Sequence, residues 1–142
     1  MTWSGFRSLL LAALVGVALA GCGTNQETTT IPTPVQVTDT FTGMITPAGT
    51  VTFAFTAKTG AVTVTLVSLS PDHDVKLSMA IGTYSPYYLT CSPVTANTSI
   101  GEKGIMEGLT TATTSICIQL SDPAGAIPTP TGDTFTITAV HY

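Results

Sequence analysis

Charged side chains are scarce in this chain of 142 residues, where aspartate, glutamate, lysine and arginine together make up 8% of the sequence. Arg7 is the single arginine. Nucleic-acid binding depends on lysine and arginine at the phosphates, so we expect no nucleic-acid partner. We expect no binding to anionic lipid headgroups either, because the formal net charge of the chain is −4.

The sequence also lacks an apolar run long enough to cross a membrane. The longest run, residues 9–20, has about twelve residues, whereas a transmembrane helix needs about twenty. It follows the basic Arg7 and ends in small residues. This pattern indicates a cleaved secretory signal.

The end of that run is more specific, because Leu19-Ala20-Gly21-Cys22 resembles the lipobox of bacterial lipoproteins. The resemblance implies a diacylglyceryl group on the Cys22 thiol, cleavage before Cys22 and acylation of the new N-terminus. Several acyl chains hold a protein stably at a bilayer. Gly23 stands where an aspartate would imply retention at the inner membrane, so we expect a lipid-anchored envelope protein at the outer membrane, on its periplasmic or surface face. The alternative is an ordinary signal cut near Ala20.

Three segments follow from these patterns. Residues 1–21 are predicted to be the signal peptide, and residues 22–37, rich in threonine and proline, a tether of extended backbone. Residues 38–142 are long enough for one domain. Part of the tether could alternatively add an edge strand.

Cysteine is also rare, with three in the chain. If Cys22 carries lipid, Cys91 and Cys117 remain as a pair, which an oxidising compartment favours as a disulfide. That bond would close a loop of about 26 residues and contribute roughly 3–4 kcal/mol in the chain-entropy model. The alternative is a nucleophilic or metal-binding thiol, for which His73 and His141 are the available bases.

Apolar and polar residues alternate with a period of two in most of the domain, which is the pattern of half-buried strands. Proline, glycine and aspartate turns separate the segments. We expect an all-β fold, an antiparallel β-sandwich of about seven or eight strands. Residues 92–112 are expected to be rich in loops, with a short strand around Ile105. The clearest strand segments are residues 41–47, 51–57, 61–69, 74–82, 87–91, 114–120 and 134–142.

The order of these strands and turns resembles the bacterial pre-peptidase C-terminal domain. The resemblance rests on an opening strand, a glycine turn, the "TFAF" strand, an apolar strand, an Asp-rich turn before a further strand and a closing strand "FTITAVHY". It covers residues 38–142. It implies a small, non-catalytic β-sandwich of the kind appended to secreted enzymes, which sometimes binds substrate surfaces or calcium.

The segment "SPDHDVKL" is the richest polar cluster. Asp72 and Asp74 are candidate calcium ligands, but calcium takes six to eight oxygens, and Asp122 or Asp133 would have to supply more. We therefore expect a solvated turn capped by Asp72 and no metal site, with calcium binding at Asp72 and Asp74 as the alternative.

No motif in the sequence indicates catalysis. His73 and His141 lie in no HxH or HExxH spacing, there is no CxxC, and GxSxG and SxxK are absent. We therefore expect two unrelated surface histidines, no cofactor and no enzymatic activity. A pocket that gathered Asp72, His73 and a distant carboxylate would favour an enzyme instead.

Three tyrosines surround Pro86, namely Tyr84, Tyr87 and Tyr88. Tyrosines near a loop are typical of carbohydrate-binding or protein-binding surfaces, and they also occur at sandwich corners. The sequence thus favours a non-enzymatic envelope protein that binds a protein or a glycan. A structural or assembly subunit of an envelope complex is the alternative, which a stable stoichiometric complex would indicate.

Overall fold

The computed structural model describes residues 33–142, which form eight β-strands. Cys22 and residues 23–32 of the predicted tether lie outside the described residues, as does the predicted signal peptide. Within residues 33–142, no helix is long and apolar enough to cross a bilayer. The strands are β1 Val37–Ile45, β2 Thr50–Ala57, β3 Gly60–Ser70, β4 Leu77–Ser85, β5 Thr90–Ile100, β6 Ile105–Thr110, β7 Thr114–Ser121 and β8 Asp133–His141.

The strands form two four-stranded antiparallel sheets, and this confirms the predicted β-sandwich. One sheet has the order β1-β8-β3-β6 and the other β2-β7-β4-β5. The edge strands are therefore β1 and β6 in the first sheet, and β2 and β5 in the second. An edge strand has a hydrogen-bonded neighbour on one side alone, so its outer main-chain groups are open to another chain.

The core lies between the sheets and is made by alternate residues of the central strands. Successive side chains of a strand point to opposite faces, so Val62, Val64 and Leu66 of β3 are buried while Thr63 and Thr65 point away. The other central strands follow the same rule, with Leu77, Met79 and Ile81 in β4, Ile116, Ile118 and Leu120 in β7, and Phe135, Ile137 and Ala139 in β8.

The prediction for residues 87–112 is wrong in two respects. Residues 86–89 form a turn rather than a strand, and Leu89 there has a positive φ of 54°. Residues 92–99, expected as loop, belong to strand β5. The alternation that marks half-buried strands is missing because all eight of these residues are exposed. The short strand expected around Ile105 is present as β6.

A disulfide between Cys91 and Cys117 confirms the predicted pairing, with a Cα–Cα distance of 5.8 Å. It joins the start of β5 to β7, and β4 lies between those two strands. The backbones of β4 and β5 are very close beside the disulfide, because a Cβ at Gly82 would lie 2.1 Å from the carbonyl oxygen of Ser92. Gly82 permits this close approach of β5 to β4, and the disulfide joins β5 to β7 across β4.

The prediction that His141 is a surface residue is wrong. Its exposed fraction is 4%, and its Nε2 lies 3.0 Å from Oδ2 of Asp39 on β1. The ring also packs against Phe55, with centroids 4.9 Å apart. His141 continues the alternation of Ile137 and Ala139 in β8, which places it on the core face.

The turns and loops fall at two ends of the sandwich, as the strand registers require. At one end Val37 pairs with His141, Ala57 with Thr114 and Ser85 with Thr90. This is called the hairpin end, and it holds turns 58–59, 86–89 and 111–113. The opposite end is called the loop end, and it holds loops 46–49, 71–76, 101–104 and 122–132.

Candidate functional site

A groove of about 340 Å³ opens between β5 and β6, which are edge strands of different sheets. Its deepest part reaches core residues of the central strands, among them Ile81 and Ile116. Small ligand pockets start at roughly this size. The lining residues are Val62, Ile81, Gly82, Thr83, Val94, Thr95, Gly108, Leu109, Thr110, Thr111, Ala112, Thr114 and Ile116.

The groove exists because β6 has a glycine at a core-facing position. Gly108 pairs with Val62, whose side chain is buried, and its neighbours on the same face are the buried Met106 and Thr110. A Cβ at Gly108 would meet only the methyl groups of Ile81, at 3.8 and 3.9 Å. The missing side chain thus leaves space above Ile81 that no other residue fills within the described part of the chain.

Two exposed apolar side chains stand at the rim of the groove. Val94 has an exposed fraction of 78% and Leu109 one of 77%. Val94 lies where the register between β4 and β5 shifts, between the pairs Ile81–Thr95 and Gly82–Pro93. The edge of β5 is exposed on both faces from residue 92 to residue 99.

The groove is apolar and nearly free of charge. Residues 77–101 contain no charged side chain, and no charged residue is among those that line the groove. Its polar groups are threonine hydroxyls. Of these, Thr110 Oγ1 already donates to the carbonyl oxygens of Lys58 and Gly60. Such a surface can bind an uncharged, apolar segment that also has a few hydrogen-bonding groups.

The structure brings together two of the three predicted tyrosines. Tyr87 and Tyr88 stand at the tip of the β4–β5 hairpin with exposed fractions of 85% and 72%, beside the exposed Leu89. Their ring centroids are 4.8 Å apart and the rings are perpendicular, with an interplanar angle of 88°. Tyr84 lies lower in β4, partly buried, opposite Cys91.

The predicted polar cluster lies at the loop end. His73 Nδ1 is 2.7 Å from Glu102 Oε2, and His73 is exposed while Glu102 is partly buried. The hydrogen bond with Glu102 raises the pKa of His73, and the same bond lowers the pKa of Glu102. The adjacent residues Pro71 to Val75 border an open cleft of about 360 Å³. Asp72 and His73 thus lie at one cleft, with the distant carboxylate of Glu102 on His73, which is the arrangement expected above to favour an enzyme.

Asp72 and Asp133 face each other in the same region. Asp133 is fully buried and its carboxylate oxygens have no hydrogen-bond partner among residues 33–142. Burial raises its pKa, and the charge of Asp72 raises it further. Asp72 accepts a hydrogen bond from Thr129 Oγ1 at 2.6 Å, while Asp74 is exposed.

In the described residues, no group of three or more histidine, cysteine, aspartate or glutamate side chains could hold a metal ion. Calcium binding at Asp72 and Asp74 stays the alternative to the predicted solvated turn.

The tyrosines near Pro86 were recognisable from the sequence, whereas the groove was not. The groove depends on Gly108, Val94 and Leu109, which all lie in the segment expected to be loop. A signal was present in the uncharged run 77–101, since edge strands usually carry charges that prevent association. The register that places Gly108 opposite Val62 depends on pairing between β3 and β6 and is not visible in the sequence.

Comparisons with known proteins add a distant structural likeness. No family model matches the chain, and no curated protein matches it. Among solved structures, it is similar to PliG of Aeromonas hydrophila, described as a periplasmic lysozyme inhibitor of g-type lysozyme. The two share 16% identity, the match covers 73% of this chain and 84% of that chain, and the TM-score is 0.45. A likeness this distant assigns neither an activity nor a partner, and the resemblance to the pre-peptidase C-terminal domain stays a prediction.

Proposed function

We propose that this chain is a non-enzymatic, lipid-anchored protein of the bacterial cell envelope, and that its β-sandwich binds an extended apolar segment of a protein partner. The partner segment would lie along β5 and place one or two apolar side chains in the groove between β5 and β6. The membrane association comes through lipid on Cys22, and the location is the outer membrane, on its periplasmic or surface face. No cofactor is required.

The observation that supports this function is the groove itself. It combines an open edge strand with an apolar cavity beside it. These are the two elements of recognition by strand addition, in which main-chain hydrogen bonds supply affinity and pockets for alternate side chains supply specificity. Because β5 and the groove lack charge, a charged partner segment would lose hydration there without gaining an ion pair.

A protein partner fits the groove better than a glycan does. Sugar rings offer many hydroxyls, which need polar partners when they are buried, and the floor of the groove is made of Val62, Ile81 and Ile116. The rings of Tyr87 and Tyr88 are perpendicular and form no shared plane on which a sugar could stack.

Photo-crosslinking in living cells tests the proposal. A photoreactive phenylalanine analogue replaces Val94, and the crosslinked products are identified by mass spectrometry. The expected result is a discrete protein adduct. The groove is then closed by Gly108→Val, which adds a β-branched side chain above Ile81 at a position without backbone strain. We expect this variant to lose the adduct.

Thr52→Val is the matched control, because it adds a β-branched apolar residue of similar size to β2, the other edge of the same sheet. It should leave the adduct unchanged. Equal adduct yields from the Gly108→Val and unmodified chains would overturn the groove as the binding site. Retention of the unmodified chain on envelope glycans, lost in Gly108→Val, would replace the protein partner by a glycan. Recovery of one stable stoichiometric complex would favour the assembly role.

A further inference from the structure

The tether enters the domain at the hairpin end. Strand β1 begins at Val37, whose partner His141 is at the end of β8, and the hairpin turn 86–89 lies at that same end of the sandwich. If Cys22 is lipidated, as the proposed function holds, the chain between Cys22 and Val37 spans at most about 50 Å when fully extended. The tether therefore joins the domain at its hairpin end and keeps that end within about 50 Å of the bilayer.

The same end exposes apolar and aromatic side chains. Tyr87, Tyr88 and Leu89 form the hairpin tip, each with most of its surface exposed, and Val35 and Val37 lie exposed where the chain enters β1. Tyrosine is enriched where a bilayer meets water, because its ring is apolar and its hydroxyl remains hydrated. An exposed tyrosine pair with a leucine is suited to that region of the bilayer.

Charged side chains are distributed unevenly between the two ends of the domain. The loop end carries two lysines, Lys76 and Lys103, and five of the carboxylates in the described residues: Asp72, Asp74, Glu102, Asp122 and Asp133. Among those residues, the charged side chains at the hairpin end are Lys58 and Asp39, and Asp39 pairs with His141. Glu107 lies along the side of β6. Anionic lipid headgroups would repel the loop end and would not repel the hairpin tip.

The hairpin tip is also fixed relative to the rest of the domain. Cys91, at the base of the hairpin, is bonded to Cys117 of the central strand β7. A rigid tip loses little conformational freedom when it meets a surface, and a tethered domain meets its own bilayer at a high effective concentration. A small contact is then sufficient to orient the domain.

We propose that the hairpin tip inserts Tyr87, Tyr88 and Leu89 into the interfacial region of the bilayer that holds the lipid on Cys22. This inference rests on the proposed lipid anchor. The domain then stands on its hairpin end, with the acidic loop end pointing away from the membrane and the groove between β5 and β6 open at its side. Zwitterionic lipid is sufficient for the contact, so added salt leaves it intact.

Fluorescence quenching by lipid tests the orientation. The single tryptophan, Trp3, lies in the predicted signal peptide, so the processed chain has none and Tyr87→Trp introduces one reporter. The lipidated chain is reconstituted in phosphatidylcholine vesicles whose acyl chains carry bromine. We expect loss of fluorescence for Tyr87→Trp at low and high salt. Ala124→Trp, at an exposed turn of the loop end, is the matched control and should keep its fluorescence.

The outcomes separate the tip from the anchor. Intact mass and co-flotation with vesicles report the anchor independently of the reporter. If the mass shows acylation and the protein floats, but Tyr87→Trp is quenched no more than Ala124→Trp, the tip does not contact lipid and the inference is overturned. If an envelope protein binds the hairpin tip and shields it from lipid, the inference is overturned as well. If no acyl mass is found and the chain does not float, the proposed anchor fails and the inference fails with it.

Discussion

Asp122 and Asp133 flank the same loop and are both fully buried, but only Asp122 is surrounded by N–H donors. Its carboxylate accepts hydrogen bonds from the backbone N–H groups of Ala48, Ala126 and Ile127. Burial by itself raises the pKa of Asp122, but these donors outweigh burial and lower it. Asp133 has no comparable set of donors among the described residues, and burial together with the charge of Asp72 raises its pKa. The pKa values of two aspartates in one loop are thus shifted in opposite directions.

Replacing Asp133 by asparagine should remove a pH-dependent loss of stability. The folded chain holds a proton on Asp133 at pH values where the unfolded chain, with an aspartate pKa of about 3.9, has released it. The folded state then binds more protons, so the free energy of unfolding falls as pH rises from the unfolded pKa through the raised pKa. Thermal unfolding of Asp133→Asn and unmodified protein between pH 4 and pH 8 measures the difference.

We expect the two proteins to have similar stability near pH 4 and Asp133→Asn to be the more stable at pH 8. Groups that do not interact with Asp133 titrate equally in both proteins and cancel in the comparison. A stability difference that stays constant across the range would show that Asp133 is ionised in the folded protein.

Asp122→Ala should destabilise the domain strongly. Its carboxylate connects loop 46–49 to loop 122–132, and the substitution leaves the buried N–H of Ile127 and its neighbours without an acceptor. An unsatisfied buried donor costs about 1–3 kcal/mol, so we expect a loss of about 3 kcal/mol in urea unfolding. The exposed Asp74→Ala is the control, expected within about 0.5 kcal/mol of the unmodified protein. Equal effects for both would exclude a structural role for the Asp122 carboxylate.

Removing the disulfide should lower the stability of the sandwich. Cys91 and Cys117 are separated by 26 positions, and the chain-entropy model gives about 3 kcal/mol for a loop of this size. Alanine suits both positions, because Cys117 is fully buried and a serine hydroxyl there would need a partner. The free energy of unfolding of the double variant in urea measures the effect. No change would mean that the unfolded chain gains little freedom when the bond is absent.

Gly82→Ala should disturb the β4–β5 hairpin. The added methyl would lie 2.1 Å from the Ser92 carbonyl oxygen and 2.8 Å from the Pro93 Cα, so the backbone of β5 must move. Overpacking of this kind costs about 1–3 kcal/mol. Gly108→Ala is the matched control, because its methyl meets only Ile81 at ordinary distances. We expect Gly108→Ala to be neutral or slightly stabilising by thermal unfolding, and a similar loss in both variants would contradict the proposed crowding.

The sandwich could be predicted because its central strands are half-buried. In β3, β7 and β8 one face meets the opposite sheet, and the resulting alternation of apolar residues with threonine is visible in the sequence. The edge strand β5 could not be predicted, since residues 92–99 are exposed on both faces and show no alternation. The lack of a metal-binding or catalytic spacing favours a surface position for His141, although its place in the alternation of β8 puts it in the core.

The sequence by itself determined the all-β class, the disulfide pair and the presence of tyrosines near Pro86, because these follow from local alternation, cysteine number and turn residues. Only the tertiary structure decided which edges remain open, that Gly108 leaves a groove above Ile81, and that the hairpin tip shares an end with the start of β1. Those features depend on strand order and register between residues distant in the chain. The register is determined by the packing of the two whole sheets, so it cannot be predicted from a short stretch of sequence.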